Sequence, residues 1–139
     1  MIGERIAVEA REWIGTPFHW QGRVKQVGVD CKGLVAGVAE ACGRPEGQSF
    51  EALAGDYGLR VDPLRLRAGL VRLFDPVAQA DLRAGDVLLL KVGGKPVHLG
   101  IALDAAVMVH CYNRGPRQVI AAPIDRAELD SVWRWRAGS

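Results

Sequence analysis

Apolar residues in the first half of this chain recur at intervals of three and four. In the second half they recur at every other position. Ile2, Ile6, Ala10, Trp13 and Ile14 fall on one helix face, which Gly15-Thr16-Pro17 stops. After the irregular run Phe18-His19-Trp20-Gln21-Gly22, the residues Leu34, Val35, Val38, Ala39 and Cys42 repeat the helical spacing. This second helix starts behind Asp30, whose carboxylate suits an N-cap, and ends at Gly43-Arg44-Pro45. Ser49 reads as the cap of a short third helix through Phe50, Leu53 and Tyr57. Asp62-Pro63 supplies a cap and first residue for a fourth that ends near Phe74.

Past Asp75-Pro76 the period changes. Val87 to Lys91, Val97 to Leu103 and Val107 to Tyr112 read as strands, with turns at Gly93-Gly94-Lys95-Pro96 and Asn113-Arg114-Gly115-Pro116. Arg117 to Ala121 and Val132 to Arg136 complete the pattern as outer strands. Helices followed by antiparallel strands define an α+β layout.

Two of these elements carry chemistry. Cys31 directly follows the capping aspartate, so its sulfur sits at the positive end of a helix dipole, which favours thiolate. Its backbone amide, at the helix start, is suited to donate to an oxyanion. His98 and His110 lie twelve residues apart on consecutive strands. A hairpin folded about Asp104 sets them directly opposite on one face, roughly 5 Å apart at Cβ. Gly100 and Ala102 share that face, and such a strip of small residues suits close approach of the cysteine helix. Cys31 as nucleophile, His98 as base and His110 as orienter then form a catalytic set.

The other polar residues read more plainly. Cys42 and Cys111 fall at core-facing positions, Lys32 reads as a solvated first-turn residue or else as a contact for a substrate carboxylate, and Asp86 reads as a turn and strand-start residue. Cys31, His98, His110 and Cys111 suffice by number for zinc. Cys111, however, belongs to the other face of its strand, so no metal site is expected.

Composition narrows the class. The 139 residues suffice for one domain, 1–139, with a real core, and the apolar and charged fractions are those of ordinary globular proteins. A net charge of +2 without a basic block argues against nucleic-acid binding. No run reaches membrane-spanning length, so no membrane insertion is expected. Three cysteines make no disulfide framework, and Met1-Ile2-Gly3-Glu4-Arg5 opens no signal peptide, so synthesis in the cytoplasm is expected.

Order and spacing of several pieces resemble the NlpC-type (NlpC/p-sixty superfamily) bacterial cell-wall cysteine peptidases. The pieces are Gly15-Thr16-Pro17-Phe18-His19-Trp20-Gln21-Gly22, Asp30-Cys31-Lys32-Gly33-Leu34-Val35, Leu82-Arg83-Ala84-Gly85-Asp86-Val87, Val97-His98-Leu99-Gly100-Ile101-Ala102-Leu103 and Met108-Val109-His110. The resemblance implies a papain-like fold with the cysteine helix on an antiparallel sheet. It implies Cys31, His98 and His110 as catalytic residues. His19 and Trp20, which precede the nucleophile, read from their position as substrate-binding residues lining the cleft, with simple packing as the alternative for Trp20. The resemblance further implies amide hydrolysis in peptidoglycan peptide stems, without a cofactor, often between γ-D-glutamate and a diamino acid. Lys32 stands where cell-wall members usually have serine. With Gln21-Gly22-Arg23 it looks more like the stand-alone versions in phage tails and gene transfer agents. That likeness implies tail hub or tip proteins as partners, and action in the periplasm or cell wall from a virion-like particle. The alternatives are a structural tail-tip or adaptor protein that does not use the site, and an amidase or acyltransferase that does.

Overall fold

The structure is a computed structural model that describes residues 2–53 and 61–136. Helix α1 (Ile2–Glu12) is followed by the two-residue strands β1 (Arg23–Val24) and β2 (Gly28–Val29), then by α2 (Cys31–Ala41), α3 (Glu46–Leu53) and α4 (Pro63–Leu73). Strand β3 (Phe74–Val77) and a single 3-10 turn lead into β4 (Val87–Val92), β5 (Lys95–Ala102), β6 (Val107–Cys111), β7 (Val119–Pro123) and β8 (Leu129–Trp135). Strands β3 to β8 form one antiparallel sheet in the order β3-β8-β4-β5-β6-β7.

Local signals explain the helix ends. Asp62 accepts from the amides of Leu64 and Arg65 at 3.0 and 3.4 Å, and Pro63 fills the first helical position, where no amide is needed. Gly43, at φ +80°, follows the last turn of α2. The third helix starts earlier than expected. It begins at Glu46, behind Pro45, so Ser49 is an exposed interior residue and not a cap. The proline that cannot continue α2 is well suited to precede the first turn of α3. The expected positions of the Leu53 side chain and Tyr57 lie outside the described residues. Ile14 also departs from expectation: α1 ends at Glu12, the chain tightens into turns, and Ile14 is 41% exposed.

The sheet is covered on both faces. Leu34, Val35 and Val38 of α2 share a core with Leu99, Ile101, Val109 and Trp133. A second, smaller core on the other face joins Leu88, Leu90, Ala102, Met108 and Val132. The cysteine helix therefore does not rest on the Gly100 and Ala102 strip. A Cβ added to Gly100 would meet the Met108 sulfur at 2.9 Å, so the small residue makes room for a neighbouring strand. Two edge details also differ from expectation. Strand β8 is interior, because β3, with Pro76, pairs along its outer side. At the opposite edge β7 meets the Gly15–Phe18 segment: the Gly15 amide donates to Val119, the Val119 amide to Thr16, and the Phe18 amide to Arg117.

Asp86 ties the start of β4 to β8. It is 1% exposed, and Arg134 donates to its two oxygens from Nε at 2.7 Å and from a terminal nitrogen at 2.8 Å. The Arg83 amide donates a third bond. Removing the cation leaves a desolvated carboxylate unmatched. Arg134→Ala is therefore expected to lower unfolding free energy by about 3 kcal/mol in urea titrations. A loss below about 1 kcal/mol would show that the pair is dispensable.

Candidate active site

The site is built around the start of α2. Asp30 accepts from the Gly33 amide at 2.8 Å through one oxygen and from the Gln21 amide at 2.9 Å through the other. That second oxygen also lies 3.5 Å from Lys32 Nζ. The Phe18–Gly22 segment is thereby drawn over the helix start. Its approach is so close that a Cβ on Gly33 would lie 1.9 Å from the Gly22 carbonyl oxygen, which only glycine permits. Lys32 is 4% exposed and sits over the Trp20 ring at 5.3 Å, so it is not the solvated residue expected from its place in the first turn. The ion pair and the aromatic face together replace its water.

His98 and His110 do meet, though by a different pairing. Gly100 lies opposite His110 and Ala102 opposite Met108, so the hairpin is centred one residue beyond Asp104. The cause is the turn. Asp104 accepts from the amides of Ala106 and Val107 and holds three residues in the loop. The pairing slips by two positions, which preserves the face. The histidines are thus diagonal neighbours, with His98 Nε2 2.8 Å from His110 Nδ1. The Tyr112 ring packs on His98 at 4.9 Å between centroids.

Cys31 and His98 border one cleft of about 380 Å³. Trp20, Cys31 and Lys32 line one wall, and Val97, His98 and Tyr112 the other. Val97 and His98 both reach it because the ladder is irregular there: Leu90 pairs with His98 and Lys91 with Pro96, leaving Val97 as an extra residue. His110 lies behind His98 and outside the cleft lining. Phe18 and Trp20 line the cleft, but His19 between them does not. Phe18 is bridged to Val29, and extended backbone turns the intervening side chain away. His19 is exposed, with Nδ1 3.1 Å from the Trp20 carbonyl. Tyr112 was not singled out as a site residue from the sequence, although its place two beyond His110 puts it on the same face.

Burial sets the electrostatics. His98 is pushed down to about 3, first by desolvation and then by His110. His110 is lowered by desolvation. Desolvation raises Cys111 to about 12, with Cys31 and Asp30 adding to it, and its sulfur donates to the Val29 carbonyl at 3.5 Å. Cys42 is also raised by desolvation, and its sulfur lies 3.6 Å from the Arg5 carbonyl. Both thiols are packing residues, as expected. Among the described residues no cluster of three His, Cys, Asp or Glu side chains is placed to hold a metal ion. Among them, too, no helix is long and apolar enough to cross a membrane.

A cysteine at the start of a helix, packed on an antiparallel sheet that presents a histidine pair, is the papain-like α+β class. Within that class the chain belongs to the NlpC/P60 family, whose profile matches residues 15–129. A search of the curated proteins finds no match. Solved structures agree in fold. The NlpC/p60 domain of the peptidoglycan hydrolase SagA superposes with a TM-score of 0.61 at 23% identity, covering 94% of this chain and 97% of that one. The P60 domain of the M. avium paratuberculosis antigen MAP1272c gives 0.64 at 15% identity, with 98% and 93% covered. RipD from Mycobacterium tuberculosis, described as a non-catalytic NlpC/p60 domain protein adapted to peptidoglycan binding, gives 0.60 at 15% identity, with 99% and 98% covered. The family thus includes both a peptidoglycan hydrolase and a non-catalytic member.

Two outcomes follow from these environments. Because both imidazoles titrate below the free value, the unfolded chain binds more protons between pH 6.5 and about 3. Their contribution to stability is therefore complete above pH 6.5 and is lost as pH falls towards 3. Urea midpoints measured across this range should drop on acidification, and the drop should shrink in a His98→Gln variant. Limiting iodoacetamide at neutral pH should modify Cys31 first, since burial suppresses the thiolate at Cys42 and Cys111. Peptide mapping that finds either of those two labelled ahead of Cys31 contradicts this.

Proposed function

We propose that this chain is a cysteine endopeptidase that hydrolyses amide bonds in the peptide stems of peptidoglycan. The observation that carries the reading is the 2.8 Å contact between His98 Nε2 and His110 Nδ1, behind a cleft that His98 shares with Cys31. With Nε2 directed at His110, Nδ1 is the ring nitrogen that serves Cys31. Nε2 then carries a proton and donates it to His110, whose own proton sits on Nε2.

Burial keeps His98 neutral at working pH, which is the state a base needs. In the first step the Cys31 sulfur bonds to the stem carbonyl carbon as its proton passes to His98 Nδ1. The C–N bond then breaks as His98 returns that proton to the leaving amine. Water attacks the thioester, again through His98, and releases the carboxylate and the thiol. The amide of Cys31, at the start of α2, is suited to donate to the oxyanion. Trp20 forms the wall against which the stem lies.

Membership of the family and the likeness to SagA support peptidoglycan as substrate. The setting proposed is a phage-like tail tip or gene transfer agent that opens the wall locally, with tail hub proteins as partners. Its support is the sequence resemblance of Gln21-Gly22-Arg23 and Lys32 alone.

Digestion of purified peptidoglycan, with product masses read by mass spectrometry, tests the reading. Cys31→Ala should release nothing while keeping its thermal midpoint. His98→Ala should lower kcat/KM by about 10²–10⁴-fold. His110→Asn, whose amide oxygen can still accept from His98, should lose less than His110→Ala. Product release undiminished in Cys31→Ala overturns the mechanism. A wild-type chain that sediments with peptidoglycan but releases no fragment would instead share the binding role described for RipD.

A further inference from the structure

Asp30 caps α2 immediately before Cys31, and it is the only carboxylate among the described residues that line the cleft. The cap holds the helix start, yet its charge has the wrong sign for the chemistry. The thiolate that attacks and the oxyanion that follows are both anions, and a neighbouring carboxylate disfavours them. Burial sharpens the conflict. The Asp30 side chain is 4% exposed, so little water screens it. Its charge carries as far as β6, where Asp30 and Cys31 both add to the elevation of Cys111.

The residue after the cysteine offsets that charge. Lys32 is equally buried, its Nζ lies 3.5 Å from the Asp30 oxygen that accepts from Gln21, and the Trp20 ring lies 5.3 Å from the ammonium. A flexible side chain is thereby fixed at the helix start, in the wall that carries Cys31. The other titratable and charged groups lining the cleft come from the sheet side: Lys95 and His98 of β5, Cys111 of β6, and Tyr112 and Arg114 beyond it. We propose that Lys32 is a positioning residue for the reaction: its ammonium cancels the Asp30 charge at Cys31, so that a carboxylate cap and an anionic sulfur share one helix turn. This rests on Cys31 as the nucleophile proposed above.

The pH dependence of Cys31 alkylation by iodoacetamide tests this without any substrate. Four full-length proteins are compared: wild type, Lys32→Met, Asp30→Asn and the double variant. Methionine keeps an apolar stem and asparagine keeps a capping oxygen, so each substitution removes one charge. With the carboxylate unmatched in Lys32→Met, thiolate is disfavoured and the midpoint of the rate profile should rise by at least about 0.5 pH. With the ammonium unmatched in Asp30→Asn it should fall by a similar amount. In the double variant it should return to within about 0.2 pH of wild type. A lysine that only packs gives the second substitution no means of undoing the first. Midpoints that agree across the four proteins, or a double variant displaced further than either single one, overturn the inference. Where one single variant fails to fold, the other single variant against the double one still isolates one charge, with the same direction expected. Equal midpoints in a chain that does hydrolyse peptidoglycan overturn this inference alone. The expected displacements in a wild-type chain that releases no fragment support the charge balance and remove the hydrolytic reading.

Discussion

Asp30 has lost nearly all its water, and three donors replace it: the amides of Gln21 and Gly33 and the ammonium of Lys32. Each fixes a different part of the molecule. The Gly33 bond completes the first turn of α2 and so sets the direction in which Cys31 leaves the helix. The Gln21 bond holds the preceding segment, so that Phe18 and Trp20 form a wall. The Lys32 pair balances a charge that burial makes expensive to leave alone. The glycine at position 33 is the steric counterpart, since no other residue leaves room for the Gly22 carbonyl.

Across the cleft the constraint is a shared proton. The histidines are close enough that one ring nitrogen must donate and the other accept, so the tautomer of each fixes that of its neighbour. Two imidazolium rings at this distance would repel, and burial adds to that cost. Tyr112 packs against the His98 ring and limits its rotation. The sheet thus presents a neutral, oriented ring beside a cysteine that the helix has placed independently.

Much of this was legible in the sequence because the signals were local. Asp30 and Asp62 as caps, Gly43 as a helix stop and the alternation along β5 and β6 each depend on a few adjacent residues. The departures arose where distant parts decide. The hairpin register depended on how Asp104 folds its own turn, and the even separation of His98 and His110 survived a two-residue slip. Lys32 reads as a surface residue in the sequence because its burial depends on the Trp20 ring, which the fold of the Phe18–Gly22 segment brings beside it. That α2 lies on Leu99 and Ile101 rather than on the Gly100 side could not be read, since both faces of β5 are apolar enough to be buried. His19 and Trp20 are neighbours in sequence, and extended backbone separates them in space.

The sheet's borders have a consequence for how the molecule behaves in company. Unpaired backbone along an outer strand invites other chains to add to it. Here β3 is four residues long and contains Pro76, which offers no amide. On the far side, Gly15 and Thr16 already occupy the amide and carbonyl of Val119. Neither border presents a long template, so copies crowded side by side have little means of recruiting one another into fibrils.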